Sequence, residues 1–141
     1  MNNWLNIMEM QIYYEDTDSG GIVYHGNYLK FCERVRSNIF FKHNRLPHTN
    51  EGGFVVHSLE AKYLNPLRLG DRIRVCLEVL EERASMMLIR HRIFKIFDMQ
   101  AQKNMQQEVF FMDTKIVYVV QNKIKKIPQE LRGIIHEASS N

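Results

Sequence analysis

The spacing of apolar residues changes near Gly53. Ahead of it, Met8, Met10, Ile12 and Tyr14 alternate with more polar neighbours, so residues 7–14 are expected to form a strand. Residues 15–21 carry the Asp, Ser and Gly of a turn. Over residues 27–42, Tyr28, Phe31, Cys32, Val35 and Ile39 recur at helical spacing, with Lys30, Glu33, Arg34 and Lys42 free to reach solvent. Phe40 and Phe41 widen that apolar face near its end. Asn27 is a candidate cap, with a start within residues 23–26 as the alternative. Pro47 and the Gly-rich residues 50–53 end the helical pattern.

Beyond Gly53 strand-like stretches follow one another. Residues 54–64, the alternation Ile73, Val75, Leu77, Val79, and residues 86–97 and 110–120 all read as strands. Residues 81–84 are a polar hairpin connector, and residues 98–107 read as a looser connection. Pro128 fits the first turn of a short terminal helix carrying Leu131, Ile134 and Ile135. One long helix against antiparallel strands is an α+β arrangement. Strands that are apolar on both faces in places, such as 86–97, need cover on the side away from the helix, and self-association is the economical source of it.

Composition narrows the class. A chain of 141 residues, 45% hydrophobic and 25% charged, suits a single globular domain over 1–141. No apolar run approaches the roughly 20 residues needed to cross a bilayer, so no membrane insertion is expected. The start lacks the basic and apolar regions of a secretory signal, and a cytoplasmic location is the expectation. Cys32 and Cys76 have no metal-like spacing and read as ordinary core thiols of a reducing compartment. The net charge is only +3, and Lys123, Lys125 and Lys126 are interrupted by Ile124. Nucleic acid is therefore not the expected partner; a phosphate-bearing small molecule suits a few positive groups better. The histidines and acids show no metal-ligand spacing, so neither metal nor cofactor is expected.

The stretch with the most chemistry is YYEDTDSGGIVYHGNYLKFCERVR, residues 13–36. It passes from an acidic loop through Gly20-Gly21 into the helix. Asp18, His25, Tyr14 and the N–H groups of the incoming helix end supply a carboxylate, an imidazole, a phenol and anion-binding amides. Those are parts for acyl chemistry without a metal or a serine nucleophile.

This segment resembles the active-site segment of the 4-hydroxybenzoyl-CoA thioesterase-like hotdog family, especially its bacterial YbgC-type acyl-CoA thioesterase branch. GGFVVHSLEAKYLNPLRLGDRIRV, residues 52–75, is similar to the family's next segment, and the likeness runs to about Val120. The resemblance implies a hotdog fold, a curved antiparallel sheet wrapped around a long central helix, assembled as a homodimer or homotetramer. It also implies an acyl-CoA thioester bound near a subunit interface. Asp18 matches the family's catalytic acid, as nucleophile or as general base. His25 matches the histidine after Val23-Tyr24, and Tyr14 the tyrosine upstream of the acidic loop.

Around this centre, the amides near His25 and Gly26 are candidates to polarise the thioester carbonyl. Val56 and His57 are candidate pocket-wall residues. Arg83, Lys123 and Lys125 are candidates for the CoA phosphates, and the 123–126 lysines for acyl carrier protein. The rival reading is a noncatalytic acyl-CoA or acyl-carrier-protein binding module on the same fold.

Overall fold

Residues 8–139 are described by the structure, a computed structural model. The elements in order are β1 (Met8–Gln11), a 3₁₀ turn (Tyr14–Asp16), α1 (His25–Phe41), β2 (His48–Thr49), β3 (Gly52–Tyr63), β4 (Arg72–Glu82), β5 (Met86–Asp98), β6 (Lys103–Val120), β7 (Lys123–Ile124) and α2 (Gln129–Ala138). All strands join one antiparallel sheet in the order β1-β4-β5-β6-β3-β2, with β7 also on β6.

The sheet curls around α1. Tyr28, Phe31, Cys32, Val35, Ile39 and Phe40 form the buried stripe of α1. Register irregularities at 56/58 of β3, 79/81 of β4 and 93/94 of β5 bend the long strands. The core divides in two. Around the first half of α1, Tyr28, Phe31 and Val35 pack with Ile73, Val75, Ile93 and Phe110. Around its end, Ile39 and Phe40 pack with Leu77, Ile89 and Ile116 and with Leu131, Ile134 and Ile135 of α2. Each fully buried side chain of this kind contributes about 1.5–3 kcal/mol. At the foot of β3 the backbones crowd: a Cβ on Gly53 would come within 2.4 Å of the His48 Cα.

Four expectations need correction. Residues 98–107 are no loose connection. β5 and β6 pair through to Asp98 opposite Lys103, and the Asp98 carboxylate accepts the Ala101 N–H to close the turn. This part of β6 extends past the last β3 pairing, at Phe110, and is largely exposed, so no apolar alternation marks it. Asn27 does not cap α1; Tyr24 precedes the helix, and the Asn27 side chain donates to the Asp16 carbonyl at 2.8 Å. The first strand stops at Gln11, because Ile12 turns inward and exchanges backbone hydrogen bonds with Gly70 and Asp71. Ile7 lies outside the described residues. Pro128 sits just before α2 rather than within its first turn.

The face of the sheet away from α1 carries its own cover. Arg90 pairs with Asp113 and lies over the Phe111 ring, while Arg92 bridges Glu78 and Glu108 and lies over Phe94. Among the described residues the edge of β3 is left uncovered. Its β2 pairing ends at Gly53, and residues 55–63 are all exposed.

Candidate active site

The start of α1 is left open. Tyr24 provides no side-chain cap, and the first turn carries no acid. The Asn27 N–H returns to the Tyr24 carbonyl at 2.9 Å, whereas the His25 and Gly26 N–H groups have no partner among the described residues. Unpaired amides at the positive end of a helix dipole attract an anion or a polarised carbonyl oxygen. A Cβ on Gly26 would come within 3.2 Å of the Tyr24 ring, so the small residue keeps the approach clear.

Asp18 occupies a tight hairpin leading to that helix. Its N–H donates to the Ile22 carbonyl at 2.9 Å, its carbonyl accepts the Gly21 N–H at 3.1 Å, and its Oδ1 accepts the Gly20 N–H at 2.8 Å. Gly21 supplies the positive φ, +77°, that this turn requires. The hairpin is tied to residues 66–70 by Val23 N–H to Leu67 and Leu69 N–H to the Gly21 carbonyl. Asp18 is exposed, and Oδ2 has no partner among the described residues.

Next to the hairpin a groove of about 240 Å³ is lined by Ile22, Val23, His25 and Tyr28 on one side and by residues 63–66 on the other. His25 is exposed, and its ring meets the Tyr63 ring edge-on at 4.7 Å. Tyr63 O–H donates to the His25 carbonyl at 2.9 Å, and its ring packs on Tyr28 and Phe110. Tyr28 Oη accepts the Leu67 N–H at 3.1 Å. Burial pushes the Tyr28 and Tyr63 phenols above their ordinary pKa, so both stay neutral near pH 7. These two tyrosines, absent from the residues singled out by sequence, fix the helix start. Both lie inside the quoted family segments, but periodicity places Tyr28 on the buried stripe of the helix and Tyr63 only within a strand.

The remaining sequence-predicted residues are distributed as follows. Asp18, His25 and Gly26 share the loop and helix start, although Asp18 does not itself line the groove and makes no hydrogen bond to His25. Tyr14 lies on the 3₁₀ turn, 80% exposed, and its hydroxyl has no hydrogen-bond partner among the described residues. His57 and Arg83 share a second groove of about 430 Å³ with Lys115. His57 sits midway along β3, about 20 Å from Tyr63 along the strand. In the groove Arg83 is already engaged by Glu81 at 2.9 Å. Val56 lines a third cavity with Arg36 and Phe54. Lys123, Lys125 and Lys126 are exposed. The Cys32 and Cys76 thiols are buried, which raises both pKa values, that of Cys76 to about 12, and keeps them unreactive. Among the described residues no three His, Cys, Asp or Glu side chains converge to hold a metal ion.

Known proteins with related sequences and folds agree with this architecture. The family model described as the thioesterase superfamily matches residues 20–101. The acyl-CoA thioesterase YbgC of Helicobacter pylori is 39% identical over 112 residues, 79% of this chain and 84% of that protein. The acyl-CoA thioester hydrolase YbgC of Escherichia coli is 33% identical over 96 residues, 66% and 72% of the two chains. A mutant 4-hydroxybenzoyl-CoA thioesterase, solved in complex with 4-hydroxybenzoyl-CoA, superposes with a TM-score of 0.75 at 18% identity, covering 92% of this chain and 96% of that one. A curved sheet around one long helix, an open helix start and these relatives identify the chain as a hotdog-fold thioester hydrolase: it belongs to the thioesterase superfamily, among the YbgC acyl-CoA thioesterases.

Proposed function

We propose that the chain hydrolyses acyl-CoA to a free acid and CoA at the start of α1, with Asp18 as the reacting carboxylate. One observation carries the reading: the His25 and Gly26 amides, without partners among the described residues, sit at a helix start whose His25 lines a groove flanked by the Asp18 hairpin. The thioester carbonyl oxygen would lie against those amides, where negative charge grows as the carbonyl carbon is attacked. If Asp18 attacks directly, a mixed anhydride forms, the C–S bond breaks and the CoA thiolate leaves to be protonated; water then cleaves the anhydride. If Asp18 acts as base, it removes a proton from water and the resulting hydroxide displaces the thiolate. The exposed His25 ring is placed to orient the carbonyl or to share a proton, with Tyr14 closing over the substrate from the neighbouring turn.

The proposal includes a homodimer joined along β3. An exposed edge carrying Val55, Val56, Leu59 and Tyr63 is a template for pairing with a second copy. Antiparallel pairing of the two β3 strands would carry His57 and Arg83 of the partner subunit toward the His25 end of the first chain. That arrangement would unite the acyl-cleaving groups with cations for the CoA phosphates. A cytoplasmic setting and docking of acyl carrier protein on the exposed 123–126 lysines complete the reading. The buried free thiols are compatible with a reducing compartment.

The test is thiol release from a panel of short, long and aromatic acyl-CoA substrates by native protein and Asp18→Asn. Equal turnover by the two would remove Asp18 from the centre. Single turnover in labelled water separates the two routes, since label found in Asp18 requires the anhydride. Solution mass tests the dimer, and a monomer would remove the β3 pairing.

A further inference from the structure

Asp71 closes the loop between β3 and β4 and is 1% exposed; Lys95, on β5, is 6% exposed. A carboxylate and an ammonium buried so far need each other and further hydrogen bonds. Asp71 Oδ2 accepts the Arg68 N–H at 2.9 Å and lies 3.4 Å from Lys95 Nζ, while Oδ1 accepts the Met99 N–H at 3.1 Å. Lys95 Nζ also donates to Asp98 Oδ2 at 3.2 Å. The Asp71 backbone is engaged as well: its N–H donates to the Arg68 carbonyl, and its carbonyl accepts the Ile12 N–H. One side chain thus fastens residues 68–71 to the turn after β5.

The same loop carries the Asp18 hairpin. Val23 N–H donates to the Leu67 carbonyl at 2.9 Å, Leu69 N–H to the Gly21 carbonyl at 3.0 Å, and Ile22 bridges to Arg68. Gly70, at φ +91°, lies so close to the turn after β5 that a Cβ there would come within 2.7 Å of Met99 Cγ. A buried ion pair adds little net stability over apolar side chains of the same volume. What this one adds is direction, because Asp71 holds amides of two separate segments at once. Asp18, by contrast, is exposed, and its Oδ1 accepts only the Gly20 N–H of its own turn among the described residues. Where that carboxylate points therefore depends on where its hairpin is seated.

We propose that Asp71 and Lys95 are positioning residues: they lock residues 67–71 as the seat of the Asp18 hairpin and so aim its carboxylate at the start of α1. Tyr28 Oη, which accepts the Leu67 N–H at 3.1 Å, ties the same seat to α1. Loop and helix are thereby held in one frame. Neither Asp71 nor Lys95 lines the groove, so both act through the hairpin rather than on substrate. The link to catalysis rests on the role proposed above for Asp18, whereas the seat itself does not.

The test joins amide exchange, kinetics and NMR. In the native protein the Arg68, Met99, Leu69 and Val23 N–H groups should open as one unit, with protection within about tenfold of one another. A wider spread would overturn the seat without recourse to any variant. Lys95→Met should lower kcat about tenfold, leave KM within about twofold, and move the Gly20 amide resonance, which reports the hydrogen bond to Asp18 Oδ1. Lys95→Arg should restore most of kcat. A Lys95→Met protein that melts earlier yet keeps native kcat below its unfolding transition would reduce the pair to a brace and overturn the proposal, as would an unmoved Gly20 resonance. Added to Asp18→Asn, Lys95→Met should cost no further activity; the same tenfold loss there would show that Lys95 does not act through Asp18. Native turnover by Asp18→Asn alone would instead remove Asp18 as the reacting group, and the Gly20 resonance would still decide the seat.

Discussion

The two ends of α1 are built differently. At the start, the helix is uncapped, Tyr24 and His25 are exposed, and two amides have no partner among the described residues. At the far end, Ile39 and Phe40 are sealed under Leu131, Ile134 and Ile135 of α2. α2 is itself pinned by Arg132 and His136, both on Glu82. Leaving a helix start uncapped forgoes about 1 kcal/mol, which one buried aliphatic side chain at the closed end offsets. The contrast lies within one helix: packing concentrates where the end is closed, and unpartnered amides among the described residues where it is open. A substitution at one end should then change activity without stability, and at the other stability without activity.

The largest effect belongs to Asp18→Asn at the open end. Thiol release should fall at least about 100-fold, the range lost with a general base. The melting temperature should stay put, because the asparagine Oδ1 can still accept the Gly20 N–H. A large drop in thermal stability would show that Asp18 holds the hairpin rather than reacting. At the closed end, Ile135→Ala should cost about 2–5 kcal/mol in denaturant unfolding, since Ile135 is 1% exposed within the second cluster. Its kcat/KM, measured below the unfolding transition, should match the native value. A matching loss of activity would mean the two ends are coupled.

Much of the closed end was legible in the sequence. Leu131, Ile134 and Ile135 follow one helical face after Pro128, and all three are buried. The Asp18–His25 spacing likewise marked the loop and the helix that the structure places together. Other features depend on contacts between distant parts of the chain. Tyr63 reaches the His25 carbonyl from 38 residues away, through the β3–β6 pairing, and periodicity reports which residues are buried rather than which ring meets which helix end. The polar start of β6 was illegible because a hairpin beyond the core has no apolar face to reveal it. The arginine cover of the outer sheet face is illegible for a related reason: the strand pattern of 86–97 does not show which carboxylates and rings stand beside Arg90 and Arg92.

Between the two ends lies His91, which gives a third, smaller effect. Its pKa falls from 6.5 to about 3 on folding. Between those values the unfolded chain binds a proton that the folded chain does not, so stability is present above the upper value and is lost as pH falls toward the lower one. The slope from this group can approach about 1.4 kcal/mol per pH unit. Lowering the pH from 6.5 to 5 should therefore cost about 1.5 kcal/mol through His91. Urea unfolding at the two pH values, compared with His91→Phe, isolates the contribution. An unchanged pH dependence in the variant would mean that His91 does not drive it.

The smallest effect sharpens the open end. Tyr63→Phe removes one hydrogen bond, from the hydroxyl to the His25 carbonyl at 2.9 Å, and keeps the ring against Tyr28 and Phe110. The net loss in stability should be about 1 kcal/mol. Because the lost contact steadies the first turn, kcat should fall about three- to tenfold through poorer aim of the His25 and Gly26 amides, a barrier change of about 1 kcal/mol. Tyr14→Phe is the matched comparison: its hydroxyl has no hydrogen-bond partner among the described residues, so its loss should leave stability unchanged. If Tyr14→Phe lowers kcat while Tyr63→Phe does not, the phenol that matters acts directly on substrate from the exposed turn. The reverse result assigns the role to the tyrosine that holds the helix start in place.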